Sequence, residues 1–247
     1  MSQDRPSIPV AIKRAVRKEC GFGCVICGAP VFQYDHILDF AEVKDHTIEN
    51  LALLCPTHHQ DKTSNRLPRG VVAKYRAAPV NLNREISSAH KWFFGGASVQ
   101  FAIGGNIYET DFKTLNPSCG GEVVPIQIGN TPVFKAKYQD EGLVLSATFH
   151  DAAGNLILGI DEGELRISTR VGDFSCEGRK LRMSDGDGNT LMELVKLDNG
   201  LKISRAMFRE EGVALDIQPE LIRAMPGGLL GATGNVYVNN RVGLRIG

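Results

Sequence analysis

Apolar positions change their spacing near residue 97. Before it they recur with helical spacing or sit in short isolated runs; after it they alternate with polar residues between turn signals. The first pattern predicts a helix from Ser7 to Glu19, with Ser7 as N-cap and Pro9 tolerated in the first turn. Ile12, Ala15, Val16 and Cys20 share one face of it, and Lys13, Arg14, Arg17 and Lys18 fall elsewhere. That basic face reads equally as a phosphate contact or as a solvated surface. Gly21 and Gly23 end the helix. Val31–Tyr34 then reads as a strand running into Asp35-His36, and Asn50–Leu54 as a second one after a long polar connection. After His59 the run QDKTSNR is expected to be helical until Pro68, and residues 69–94 read as partly helical. Pro79 and Asn81 open the stretch NREISSAHKWFF, which Gly95-Gly96 closes, so residues 81–96 are expected to form a helical connector.

Beyond Ala97, β-like runs occupy Val99–Ile103, Val123–Ile128, Leu143–Phe149, Leu156–Ile160, Leu165–Thr169, Lys180–Met183, Leu191–Val195, Leu201–Phe208 and Val213–Ile217. Gly-Asn or Asn-Gly pairs at 105–106, 129–130, 154–155, 188–189, 199–200 and 234–235 punctuate them as hairpin turns. HDAAGNLILGI and MSDGDGNTLMEL resemble each other, which indicates a degenerate internal repeat. The expected fold class is α+β: an N-terminal domain over 1–80, the connector, and an all-β domain over 97–247 built of stacked hairpins, as a sandwich or a solenoid.

The 247 residues carry no net formal charge, but the balance is +4 over residues 1–94 and −4 over 95–247. A basic N-terminal part suits a polyanion, and an acidic remainder does not offer a second DNA surface. The chain contains no apolar run of membrane-spanning length, and MSQDRPSIPV lacks a signal-peptide core, so a cytoplasmic protein is expected. In a reducing compartment a C-x-x-C favours metal over a disulfide.

That motif is Cys24-x-x-Cys27, and Cys55-x-x-His58 follows as a second pair. A tight turn brings residues three apart to one ion, so the two pairs together supply four corners of a zinc tetrahedron. Between and after them lie Asp35-His36, Asn50 and His59. Cys20, Cys119 and Cys176 read as buried or idle thiols, and His46, His90 and His150 as ordinary loop or surface histidines. Asp185–Asn189 reads as a turn, because Lys196 stands where a calcium loop needs Glu.

With these spacings the stretch Cys24–Lys62 resembles the HNH endonucleases, the ββα-metal nucleases. The resemblance covers about the first 80 residues. It implies two antiparallel strands followed by a helix, held by a structural Zn2+ on Cys24, Cys27, Cys55 and His58. It implies His36 as general base, an imidazole whose ordinary pKa of about 6.5 suits neutral pH. Asp35 and His59 would hold one catalytic Mg2+ or other divalent cation, and Asn50 would pin the loop carrying His36. Lys62, Arg66 and Arg69 are candidate phosphate contacts. Many members carry Cys at the position of His58 and Gly-Gly in the loop before the Asn, which here reads AEVKDHTIEN. The implied activity is phosphodiester hydrolysis of DNA, leaving 5′-phosphate and 3′-hydroxyl ends, in a restriction or antiphage setting. The β domain would regulate it through a small ligand, a protein partner or a second copy of the chain. A zinc-stabilised nucleic-acid-binding protein without catalysis is the alternative.

Overall fold

The computed structural model describes residues 6–115, 121–229, 234–239 and 241–246. Cys119 lies outside the described residues. The first helix, α1, spans Val10–Glu19 with Pro9 preceding it and no side-chain cap, so Ser7 does not cap it. Its apolar face buries Val16 and Cys20 completely. Strands β1 (Gln33–His36) and β2 (Leu51–Leu54) pair antiparallel, Asp35 opposite Ala52 and His36 opposite Leu51. Helix α2 (Phe40–Val43) lies in the connection between them. All four residues of β2 are buried, which explains why LALL is a continuous apolar run instead of an alternating one. Helix α3 (Pro56–Thr63) starts directly after β2 with Pro56 in its first turn, so Cys55 sits at the strand–helix corner. It ends earlier than expected: Ser64 follows it and Asn65 turns left-handed at φ 58°. Helix α4 (Arg69–Ala77) follows.

The expected helical connector is not helical. After a single 3-10 turn at Val80–Asn83, the chain forms strands β3 (His90–Lys91) and β4 (Phe94–Gly95). This segment is stitched on both sides. Toward the N-terminal part, Val80 N–H donates to Val25 O (3.2 Å), Ser88 N–H to Gly28 O (3.2 Å) and Ser88 Oγ to Cys27 O (2.5 Å). Toward the sheets, Ser87 N–H donates to Ile167 O (2.9 Å) and Trp92 N–H to Gly163 O (2.8 Å). The buried Asn81 amide donates to the carbonyls of Gly21 (3.0 Å) and Gly28 (3.1 Å). Helical propensity in this stretch yields to hydrogen bonds made with residues far along the chain.

The rest is strands: β5 (Ser98–Ile103), β6 (Asn106–Asp111), β7 (Glu122–Ile128), β8 (Thr131–Gln139), β9 (Gly142–His150), β10 (Leu156–Asp161), β11 (Glu164–Ile167), β12 (Asp173–Glu177), β13 (Lys180–Ser184), β14 (Thr190–Leu197), β15 (Gly200–Glu210), β16 (Val213–Gln218), β17 (Leu221–Met225), β18 (Gly228–Leu229), β19 (Val236–Val238) and β20 (Val242–Ile246). One sheet runs β20-β7-β8-β9-β10-β11-β3, with β4 also on β9; the other runs β12 through β18 in order, with β5, β6 and β19 joined through β15. Most neighbours are antiparallel hairpins, but β20 on β7, β5 on β15 and β19 on β6 are parallel. The sheets meet through edge-to-face or tilted rings, Phe101 on Phe134 at 5.0 Å and Phe149 on Phe208 at 4.9 Å, all four fully buried. At Gly200 a Cβ would lie 1.8 Å from the Gln100 carbonyl oxygen, so the parallel β5–β15 seam requires glycine there.

The two similar segments fold alike. In Asp151–Asn155 the Asn155 backbone and side-chain amides both donate to the Asp151 carboxylate, each at 2.8 Å. In Asp185–Asn189 Asn189 does the same to Asp185 at 2.8 and 2.9 Å. Both carboxylates serve the turn. The repeat is therefore a repeated D-x-x-G-N hairpin corner between β9 and β10 and between β13 and β14.

Helix α1 packs on β12, and Lys13, Arg14 and Arg17 reach its acidic residues. Arg17 is 6% exposed and donates to both oxygens of Asp173, Nε at 2.9 Å and Nη2 at 2.6 Å, while its Nη1 reaches Tyr34 Oη at 2.7 Å. Burial alone would lower its pKa, but these acceptors outweigh it and hold the charge more firmly than usual. Lys13 pairs with Glu177 at 3.3 Å. Arg17 is thus neither a phosphate contact nor solvated, and part of the charge asymmetry is satisfied within the chain.

Candidate functional site

The turn after α1 brings Cys24 and Cys27 beside the β2–α3 corner carrying Cys55 and His58. Gly28 closes this turn at φ 77°, where a Cβ would strike the Asn81 side chain. The four ligand atoms all lie within 4.8 Å of one another. Zn–S bonds of about 2.3 Å and Zn–N bonds of 2.0–2.1 Å place tetrahedral neighbours about 3.6–3.8 Å apart. Here Cys27 Sγ to Cys55 Sγ is 3.8 Å, and His58 Nδ1 lies 3.4 Å from Cys24 Sγ and 3.2 Å from Cys55 Sγ. Three thiols and an imidazole at these separations fit zinc. Hydrogen bonds from Cys27 and Cys55 favour the Cys24 thiolate, whereas contact with Cys24 holds the Cys27 proton on. A divalent cation on the cluster would favour the thiolate form of all three cysteines. Cys20 stands apart from the cluster, buried, its thiol pushed up to about 11 by desolvation. Cys176 is likewise pushed up to about 11 by burial. Cys55→Ser is expected to lower bound zinc from about one ion per chain to near zero and to unfold the N-terminal part, read by elemental analysis and circular dichroism.

The second cluster lies at the end of β1. Pairing with β2 buries Asp35, and α3 presents His59 and Lys62, one turn apart, toward it. His59 Nε2 lies 3.7 Å from Asp35 Oδ1. Bonds of about 2.1 Å separate octahedral ligands by about 3.0 Å at adjacent corners and about 4.2 Å at opposite ones, and 3.7 Å falls between the two. Burial raises the Asp35 pKa, and Lys62 works against that rise. Asp35 Oδ2 is buried and receives no well-directed hydrogen bond, although Lys62 Nζ lies 3.1 Å away. Lys62 Nζ also donates to the His36 carbonyl at 2.7 Å. Its side chain is only 11% exposed. The lysine thus faces inward to the site, while Arg66 pairs with Asp61 and Arg69 with Glu42 on the surface. The structure does not bring these three expected phosphate contacts together.

Asn50 grips the segment that follows His36. Its Oδ1 accepts from Leu38 N–H at 2.7 Å, its Nδ2 donates to Leu38 O at 2.9 Å, and its own carbonyl accepts from Ile37 N–H at 2.8 Å. His36 is buried, with Nε2 2.9 Å from His46 Nδ1. In the sequence His46 reads as a loop histidine; no spacing pattern marks it, and only the closing of the 37–50 loop brings it to His36. His90 and His150 lie outside both clusters.

Residues 24–65 match the family model described as HNH endonuclease. No curated protein and no solved structure matches the chain.

Proposed function

We propose that β1, β2 and α3 form a ββα-metal nuclease unit that hydrolyses DNA phosphodiester bonds. The observation that carries this reading is the end of β1, where Asp35 and His59 stand 3.7 Å apart beside a histidine whose loop is held by Asn50. A divalent ion on Asp35 and His59 would supply charge neutralisation at the scissile phosphate. His36 takes a proton from the attacking water as its oxygen bonds to phosphorus. The P–O3′ bond breaks, and the departing O3′ is protonated from solvent, leaving 5′-phosphate and 3′-hydroxyl ends. Lys62 orients the Asp35 carboxylate, and the exposed Arg66 and Arg69 contact backbone phosphates. The zinc on Cys24, Cys27, Cys55 and His58 fixes the turn and corner that carry these groups.

The β sheets regulate the unit, in answer to a small ligand, a protein or a second copy of the chain. A groove of about 480 Å3 over β8 to β11, lined by Val133, Leu158, Ile160, Lys135 and Arg166, has the size of a small-molecule site. Free thiols suit the cytoplasm, where a restriction or antiphage effector would work. No helix among the described residues is long and apolar enough to cross a membrane.

The second reading, nucleic-acid binding without catalysis, is favoured by the Lys62 ammonium already paired with Asp35. Plasmid nicking with purified chain separates the two: cleavage that appears with Mg2+ and stops with chelator supports the nuclease, and binding without nicking supports the other. His59→Ala is expected to raise the Mg2+ concentration needed for half-maximal cleavage by at least about tenfold, with partial recovery at high Mg2+. Recovery to the wild-type metal requirement would remove His59 from the ion.

A further inference from the structure

We propose that His46 is a positioning residue that fixes the tautomer of His36, so that Nδ1 is the nitrogen that accepts the proton. The inference rests on His36 acting as the base. His46 Nε2 lies 2.8 Å from the Pro6 carbonyl oxygen. A carbonyl offers only lone pairs, so this contact requires a proton on His46 Nε2. A neutral imidazole protonated at Nε2 has a bare Nδ1, and that atom faces His36 Nε2 at 2.9 Å. His36 Nε2 therefore carries the hydrogen and donates it. Neutral His36 then holds its basic lone pair on Nδ1.

The ring geometry keeps this chain of donors in one direction. His36 and His46 are 5% and 7% exposed, so little bulk water competes for the hydrogen bond between the two rings. Phe40 stacks on His46 at 4.8 Å and 26° and meets the edge of His36 at 5.5 Å and 70°. Asp45 Oδ1 accepts from the His46 backbone N–H at 2.7 Å, which sets the turn that aims the ring. A neutral acceptor has a further advantage here over a carboxylate. It orients the histidine without adding a further negative charge to those of Asp35 and Asp39, where it would compete for the divalent ion. Pro6 thereby joins the site through its carbonyl, although it precedes α1 and lies 40 residues from His46 along the chain.

The test uses the zinc-loaded full chain. Long-range 1H–15N correlation spectra of wild type should show His36 protonated at Nε2. His46→Phe, which keeps a ring against Phe40 but removes the acceptor, should move His36 toward the Nδ1–H form. It should lower kcat for nicking by about 10–100-fold with KM for DNA little changed. His46→Asn, whose Oδ1 accepts near the place of Nδ1, should restore the Nε2–H signature and most of kcat. The proposal is overturned by an Nδ1–H His36 in wild type, by a His46→Phe chain with wild-type tautomer and rate, or by equal losses in both variants. If His46→Phe does not fold, the wild-type spectrum alone decides. Wild-type cleavage by His36→Ala would instead overturn His36 as base, and leaves the tautomer measurement standing.

Discussion

His36→Ala is expected to reduce Mg2+-dependent cleavage by about 10²–10⁴-fold, the usual contribution of a positioned general base. Zinc content should stay at the wild-type level, since His36 is not among the four clustered donors. DNA affinity should change little, because the buried imidazole offers no charge to the phosphate backbone. The loss should fall on kcat, and added Mg2+ should not recover it, in contrast to His59→Ala. Single-turnover nicking across a Mg2+ series makes the comparison. A His36→Ala chain that cleaves at the wild-type rate removes this residue from the chemistry.

Asp173→Ala is expected to destabilise the protein by about 3–5 kcal/mol, although Asp173 lies well over 100 residues from the candidate site along the chain. The substitution strips Arg17 of a bidentate partner in a place where water cannot replace it: the two side chains are 7% and 14% exposed. For a protein of this size such a loss lowers Tm by about 10 °C. Replacing both members by apolar residues of similar volume should return most of the stability, because no unpaired charge then remains buried. Urea unfolding of the single and double variants measures this directly. A near-neutral Asp173→Ala would show that the pair is solvated in solution. The same pair reaches the candidate site, since Tyr34, the second partner of Arg17, directly precedes Asp35 in β1.

Those two sites differ in how far they were legible in the sequence. The metal cluster was readable because its donors come as two short-range pairs, and a three-residue spacing at a turn determines geometry almost by itself. Asn50 was singled out by the resemblance to the HNH layout, and its side chain holds the Leu38 backbone just beyond β1. The strands from Val99 to Ile217 were visible as alternation, and the D-x-x-G-N corners as a repeated motif whose hydrogen bonds are local. What escaped depends on groups far apart in sequence. NREISSAHKWFF has helical composition, but β9 and β11 recruit it as β-structure. Arg17 has the spacing of a solvated helix face, and only the arrival of β12 buries it. Lys62 shares its helix with His59, yet nothing in the spacing says that its ammonium turns toward Asp35 instead of outward. The parallel pairings of β19 and β20 join residues more than 100 positions apart, and no periodicity announces them.

The stitched segment from Val80 to Gly95 behaves as a mount, not a hinge. Backbone hydrogen bonds hold it to the zinc turn on one side and to β9 and β11 on the other, so the N-terminal part has no free tether on which to swing. Whatever rests on the sheets therefore stands at a constant offset and bearing from the end of β1. If the chain cleaves as proposed, a flexible tether would let the cut fall anywhere within its reach, whereas this mount would act as a ruler, and lengthening it by a few residues would change the calibration instead of the slack.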